Sequence, residues 1–150
     1  MKRLLLLSTL LVVLFGCKKP VEDWRTPYTG MFDFTCYWSQ MVSTSNVWEE
    51  RWQDTTYCSS VVELFDPNRL KIKFGERAFM NGNDTVFTMT VTPILENDGT
   101  LTFPREEYPS GGHNMFEGRF LSLDTIKIDF TYSLGIGGYD KYQVVGIRKQ

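Results

Sequence analysis

Thr125-Ile126-Lys127-Ile128-Asp129-Phe130-Thr131-Tyr132-Ser133 is the stretch that decides the fold. Ile126, Ile128, Phe130 and Tyr132 fall on one side, and Lys127, Asp129, Thr131 and Ser133 on the other. A period of two marks a β-strand with one face in a core and one in water. The same alternation sets Phe32, Phe34, Cys36 and Trp38 against Asp33, Thr35, Tyr37 and Ser39. It sets Leu70, Ile72 and Phe74 against Lys71 and Lys73, and Phe87, Met89 and Val91 against Thr88 and Thr90.

Between these runs stand residues that tolerate tight turns: Ser43 to Asn46, Asp66-Pro67-Asn68, Asn81 to Asp84, Asn97-Asp98-Gly99, Ser110 to Asn114, Ser122 to Asp124 and Gly135 to Asp140. Asn97-Asp98-Gly99, between Ile94-Leu95 and Leu101-Thr102-Phe103, is the clearest hairpin signal. The segments 29–41, 47–57, 60–65, 69–74, 85–93, 100–103, 115–121, 125–133 and 141–148 give about eight strands, two segments forming one bent strand. Residues 46–52 are ambiguous. Asn46 with Glu49 fits a helical capping box, and Trp48 with Trp52 fits a helical face. The same tryptophans fit one face of a strand, and Thr55-Thr56-Tyr57 follow without a break, which favours strand. Sequential strands with short turns make an antiparallel meander. A meander this long hides its edges by closing into a barrel or, alternatively, folding as a β-sandwich. The expected class is all-β, with one domain over residues 28–150.

Hydrophobic residues are 42% and aromatics 15% of the 150 residues, a globular composition. Removing Lys2 and Arg3 with residues 1–16 leaves 14 basic against 18 acidic side chains, a net −4. That balance excludes the net basic face a nucleic-acid partner requires.

The amino terminus reads Met1-Lys2-Arg3, then an apolar run of twelve residues from Leu4 to Phe15, broken only by Ser8 and Thr9. It is shorter than the roughly twenty residues of a membrane-spanning helix and has the form of an export signal. Leu14-Phe15-Gly16-Cys17 resembles the lipobox of bacterial lipoproteins. The resemblance implies cleavage after residue 16, a diacylated Cys17, and a membrane partner held through that lipid. Residues 17–27, with two prolines and five charges, read as a tether. Lys18 stands where an inner-membrane retention signal would have Asp, so the resemblance favours the outer membrane, facing the periplasm or the cell surface.

Three stretches of the domain resemble the small lipoproteins of unknown function that are abundant in Bacteroidota. Tyr28-Thr29-Gly30-Met31-Phe32-Asp33-Phe34 matches their Y-x-G-x-Y/F-x-F opening. Phe116-Glu117-Gly118-Arg119-Phe120 with Asp124-Thr125-Ile126 matches F-x-G-x-F … D-T-I/V. Gly135-Ile136-Gly137-Gly138 with Val144-Val145-Gly146-Ile147-Arg148-Lys149 matches G-x-G-G … V-x-G-x-K. The aromatic-glycine opening also resembles the G-x-W or G-x-Y element of lipocalin-like barrels. Both likenesses imply architecture, an eight-stranded lipocalin-like barrel, and no particular activity.

Cys36 and Cys58 remain once Cys17 is set aside. In an oxidising compartment they suggest one disulfide, with two separate buried thiols as the alternative. Two cysteines and the lone His113 make a poor zinc site, so no metal and no cofactor is expected. His113 lies in Ser110-Gly111-Gly112-His113-Asn114 and reads as a solvated loop residue. The chain has no G-x-S-x-G, which leaves a hydrolase as a remote alternative and a non-enzyme as the expectation. Glu49-Glu50 and Glu106-Glu107 are strand neighbours that point to opposite faces, so neither forms an acid/base pair.

The aromatics carry the remaining signal. Trp38, Trp48, Trp52, Tyr37 and Tyr57 concentrate in the first two strands. Tyr108 and His113 lie on a candidate rim loop. Two functions follow. One is a module enclosing a small apolar ligand within the barrel. The other is a module that binds a glycan or an envelope protein through surface aromatics.

Overall fold

The computed structural model describes residues 22–45, 47–80, 83–104, 113–133 and 138–150; at Trp52, 76–80, 83–87 and 113–115 it describes the backbone alone. Residues 1–21, which include Cys17 and the stretch read as an export signal, and Tyr108 lie outside the described residues.

Nine strands are present among them: β1 (Gly30–Thr44), β2 (Val47–Phe65), β3 (Arg69–Met80), β4 (Asn83–Val91), β5 (Ile94–Leu95), β6 (Thr100–Thr102), β7 (His113–Ser122), β8 (Thr125–Ser133) and β9 (Gly138–Arg148). All pairings are antiparallel. The order β2-β1-β9-β8-β7-β6-β5-β3 returns to β2 through the β2–β3 pairing, so the sheet closes on itself. β4 and β5 follow one path beside β3, interrupted at Thr92-Pro93, which makes eight positions around the ring. Proline has no amide to give a ladder. Its carbonyl still accepts from Leu70 N at 3.0 Å. The ambiguous stretch at 47–52 is strand, continuous with 60–65.

The pairing register stacks the inward positions in rows. Nearest the end where the chain enters, Phe32 faces Ser60 and Arg148. The second row is Cys58, Phe34, Gly146, Ile126 and Phe120. Then come Thr56, Cys36, Val144, Ile128, Gly118 and Leu101, followed by Asp54, Trp38, Tyr142, Phe130 and Phe116. Phe32, Phe34, Phe74, Ile126, Ile128, Phe130 and Val144 are all at most 2% exposed. Each buried side chain of this size contributes about 1.5–3 kcal/mol.

The lower and middle rows are filled. Phe116, Phe130 and Tyr142 stack at 5.0 and 4.5 Å. β3 lies directly across the ring from β8, and Phe74 of β3 meets Phe130 of β8 at 5.9 Å. An eight-stranded barrel is just wide enough for its own side chains or for one small ligand. Here a cross-barrel ring contact occupies the middle.

The motif glycines make this packing possible. Gly146 is where the Phe34 ring lies flat against β9: an added Cβ would sit 2.6 Å from Ile126 Cγ2 and 2.7 Å from Phe34 Cδ1. Gly99, at φ +83°, completes the Asn97-Asp98-Gly99 hairpin, with Gly99 N donating to Glu96 O at 3.0 Å and Glu96 N to Thr100 O at 2.9 Å.

Two arginines seal the entry end. Arg25 is 4% exposed, and its guanidinium donates to Asp66 O at 2.6 Å and Arg69 O at 2.7 Å. It also binds Asp23 Oδ1 through Nε at 2.9 Å. Arg148 lies 4.9 Å over the Phe32 ring and donates to Pro27 O at 2.6 Å, Leu123 O at 2.7 Å and Asp124 Oδ1 at 2.8 Å. The chain engages the turn at 66–69 through Arg25, which Asp23 holds. Residues 25–29 run across the closed end from the turn at 66–68 to the turn at 123–124.

The expected disulfide is absent, and the reason is register. Cys36 pairs with Thr56 while Cys58 pairs with Phe34, so the cysteines are diagonal neighbours. Diagonal positions lie about 7–8 Å apart, and a bridge needs Cβ atoms about 3.5–4.5 Å apart. Neither cysteine is in a disulfide. Cys58 Sγ accepts from Gly75 N at 3.0 Å, where β2 and β3 diverge.

Candidate functional site

The structure divides the aromatics named from sequence. Trp38 is inside, 5% exposed, so it is a core residue and not the surface anchor considered above. Trp48 is 52% exposed and Tyr57 76% exposed, both on outward positions of β2. A register shift at Gln40/Met41 separates Trp48, opposite Ser43, from Trp52, opposite Gln40. The two positions therefore take opposite faces of the ribbon, and the shared face that sequence spacing suggested does not exist. His113 is the first residue of β7, opposite Tyr132, rather than a loop residue. Glu49 and Glu50 face Val42 and Met41, on opposite faces as expected.

The outer face of β2, β1 and β9 holds a surface groove. One row runs Thr55, Tyr37, Gln143 and Asp129, and the next Gln53, Ser39, Lys141 and Thr131. Tyr37, Ser39, Gln53, Thr55, Lys141 and Gln143 of these rows, with Glu50, Asp54 and Trp38, line a groove of about 540 Å³. Ser39 forms its floor at 9% exposure, and Tyr37, 48% exposed, forms a wall. The extra residue of the β1–β2 bulge raises local twist and bends the ribbon at the upper edge of the groove. Gln143 Nε2 donates to Asp129 Oδ1 at 3.1 Å, and Gln53 Nε2 to Glu50 Oε2 at 2.8 Å, which orients both amides. Above the groove the Trp48 and Tyr139 rings meet at 5.2 Å.

This groove offers amides, a hydroxyl, an ammonium and carboxylates beside exposed ring faces. It contains neither a cysteine nor the chain's one histidine. Among the described residues, no group of three His, Cys, Asp or Glu side chains could hold a metal ion. Tyr37 was visible in sequence as one of the clustered aromatics. Lys141, Gln143 and Tyr139 were not, because only the β1–β9 pairing brings them beside it.

A second feature lies inside, above the Trp38 row. Gln40, Asp140 and Tyr132 are register neighbours there, flanked by the positions of Trp52 and His113. Asp140 is 8% exposed, with Gln40 Nε2 at 3.4 Å from its Oδ1. The barrel thus changes from apolar to polar along its axis.

No family model matches the chain, and no curated protein does. Among solved structures, the crystal structure of ywiB protein from Bacillus subtilis is 7% identical and is covered over 99% of its length by 85% of this chain, at a TM-score of 0.40. Odorant Binding Protein OBP1 is 16% identical, covered over 77% by 87% of this chain, at a TM-score of 0.39. The barrel itself is defined by the strand pairings above.

Proposed function

We propose that this chain is a lipid-tethered binding module of the bacterial outer membrane, of the kind its sequence resembles among Bacteroidota lipoproteins. Its ligand is a small amphipathic molecule of the saccharide class, taken in the outer groove of β2, β1 and β9. The observation that carries this reading is the pairing of an exposed ring, Tyr37, with the oriented amides of Gln53 and Gln143 around the sunken Ser39. A sugar presents a C–H face that stacks on a ring and a rim of hydroxyls that needs fixed donors and acceptors. A groove of this size lies in the usual range for small-molecule sites. The reading is of a binding module and not of an enzyme.

An amphipathic ligand inside the barrel is the second reading. The polar groups of Gln40, Asp140 and Tyr132 above an apolar interior would suit its polar end. The cross-barrel contact of Phe74 with Phe130 restricts such a ligand to the space above the Trp38 row.

Residues 18–150, produced in a bacterial periplasm, test both. A glycan panel followed by calorimetry should find an oligosaccharide whose affinity falls at least about fivefold in Tyr37→Ala, as loss of an anchoring ring costs above about 1 kcal/mol. Binding that is indifferent to Tyr37→Ala and Gln143→Ala would refute the groove. A mass excess in native spectrometry that vanishes on denaturation would move the site to the interior.

A further inference from the structure

We propose that the closed end of the barrel seats on a neutral phospholipid surface, so that the module is held upright and not merely leashed. The proposal rests on the reading of Cys17 as the lipid-bearing residue.

Trp24, Leu64, Phe65, Leu121 and Leu123 all belong to the closed end, and each is between 39% and 59% exposed. They come from three separate segments: the incoming chain, the end of β2 and the β7–β8 turn. Arg25 and Arg148 lock those segments to one another through the carbonyls of Asp66, Arg69, Pro27 and Leu123. The apolar side chains are therefore held as a fixed rim. A monomer in water pays to expose such a rim, and a rim of this kind marks an interaction surface.

The position of the anchor identifies the occupant. Four residues lie between Cys17 and Glu22, five steps of the chain, and the described residues begin at Glu22 at this end. Five extended steps reach at most about 18 Å. A lipid on Cys17 thus keeps the entry end of the barrel within that distance of the bilayer and brings the rim to the membrane ahead of the groove and the far end. At such proximity even a weak apolar contact is populated, because the anchor sets a high local concentration. Trp24 is a ring suited to the headgroup layer. The charges at this end largely cancel: Asp23 and Asp124 are paired to Arg25 and Arg148, and Glu22 and Asp66 are matched by Lys18 and Lys19 of the tether. With no net charge to draw it to an anionic surface, the rim seats through its apolar side chains, which a neutral surface satisfies.

The full precursor is expressed in a bacterium, and the mature protein is extracted and reconstituted in phosphatidylcholine vesicles. Its intact mass is measured first. Removal of residues 1–16 and gain of a diacylglyceryl group verify the anchor. Tryptophan emission is then compared in brominated and ordinary phosphatidylcholine. The expected result is a quenched fraction that is lost in Trp24→Phe, restored by Leu123→Trp in that background, and kept in Trp48→Phe. A lipidated protein with no Trp24-dependent quenching overturns the docking and leaves the anchor standing. A mature protein without lipid overturns the anchor, and the docking falls with it.

Discussion

Replacing Gly146 by alanine should destabilise the domain by about 2 kcal/mol, although alanine is the better residue for an isolated chain. The added Cβ would stand 2.6 Å from Ile126 Cγ2 and 2.7 Å from Phe34 Cδ1, with Phe34 Cε1 nearer still. Carbon atoms pack at about 3.5–4.0 Å, so the ring must retreat by roughly 1 Å. Phe34 has nowhere to go: Phe32 and Phe74 lie at ring distances of 6.0 and 6.3 Å, and all three are at most 2% exposed. Overpacking of a filled core costs about 1–3 kcal/mol, and two simultaneous overlaps place this site at the upper end. Removing glycine returns about 0.5–1 kcal/mol through the unfolded chain. At roughly 3–5 °C per kcal/mol for a domain of this size, the melting temperature should fall by about 6–10 °C. Urea unfolding followed by tryptophan emission measures the change, with the slope unchanged if only stability has moved. Phe34→Leu makes room for the new methyl, so the double variant should be more stable than the summed single effects by at least about 1 kcal/mol. A melting temperature within 2 °C of wild type, or strict additivity with Phe34→Leu, would refute this account of the barrel's interior.

Further outcomes follow from the closed end and the thiols. Asp23 is held at a pKa of about 2, chiefly by the side-chain hydrogen bond from Arg25, and then by the Arg25 backbone amide. A depressed carboxylate stabilises the fold above its unfolded value, near 4, and loses that contribution as pH falls toward 2. Thermal melts of Asp23→Asn should therefore lie below wild type at pH 7 and converge with it near pH 2. Parallel curves across that window would exclude the clamp. Alkylation of denatured, unreduced residues 18–150 should add two labels, one each at Cys36 and Cys58, and reductant should leave the melting temperature unchanged. A mass two hydrogens light with no label would restore the bridge.

Much of the fold is legible in the residues themselves. Alternation fixes which side of each strand meets the core, since a side chain's face follows from its parity alone. Ile126, Ile128 and Phe130 were assigned inward on that basis and are buried. The Asn97-Asp98-Gly99 hairpin is equally local, because one residue must take a positive φ and glycine is there. The motif glycines could be seen but not understood. Gly146 is a gap for a ring of β1, more than a hundred residues earlier in the chain.

The candidate site was only half legible, and the bulge at Gln40/Met41 shows why. Spacing gave Trp48 and Trp52 one shared face. One extra residue in β2 reverses parity between them, and bulges leave no clear mark in sequence. Cys36 and Cys58 were similarly close in sequence terms, on neighbouring strands, yet a two-residue register offset keeps their sulfurs apart. The groove depends on Tyr37, Ser39 and Lys141 meeting across β1 and β9, a pairing set by closure of the ring.

The sequence by itself determined the strand class, the inward and outward faces, the turns and, through residues 1–17, the expected export and lipid address. These are properties of a residue and its near neighbours. Tertiary structure alone decided that the barrel is filled through its middle, that the thiols stay apart, that Trp38 belongs to the core, and that a groove lies on the outer face. Each of these depends on which strands lie side by side and in what register. Register is set by the joint packing of all eight positions around the ring, a condition no single segment contains.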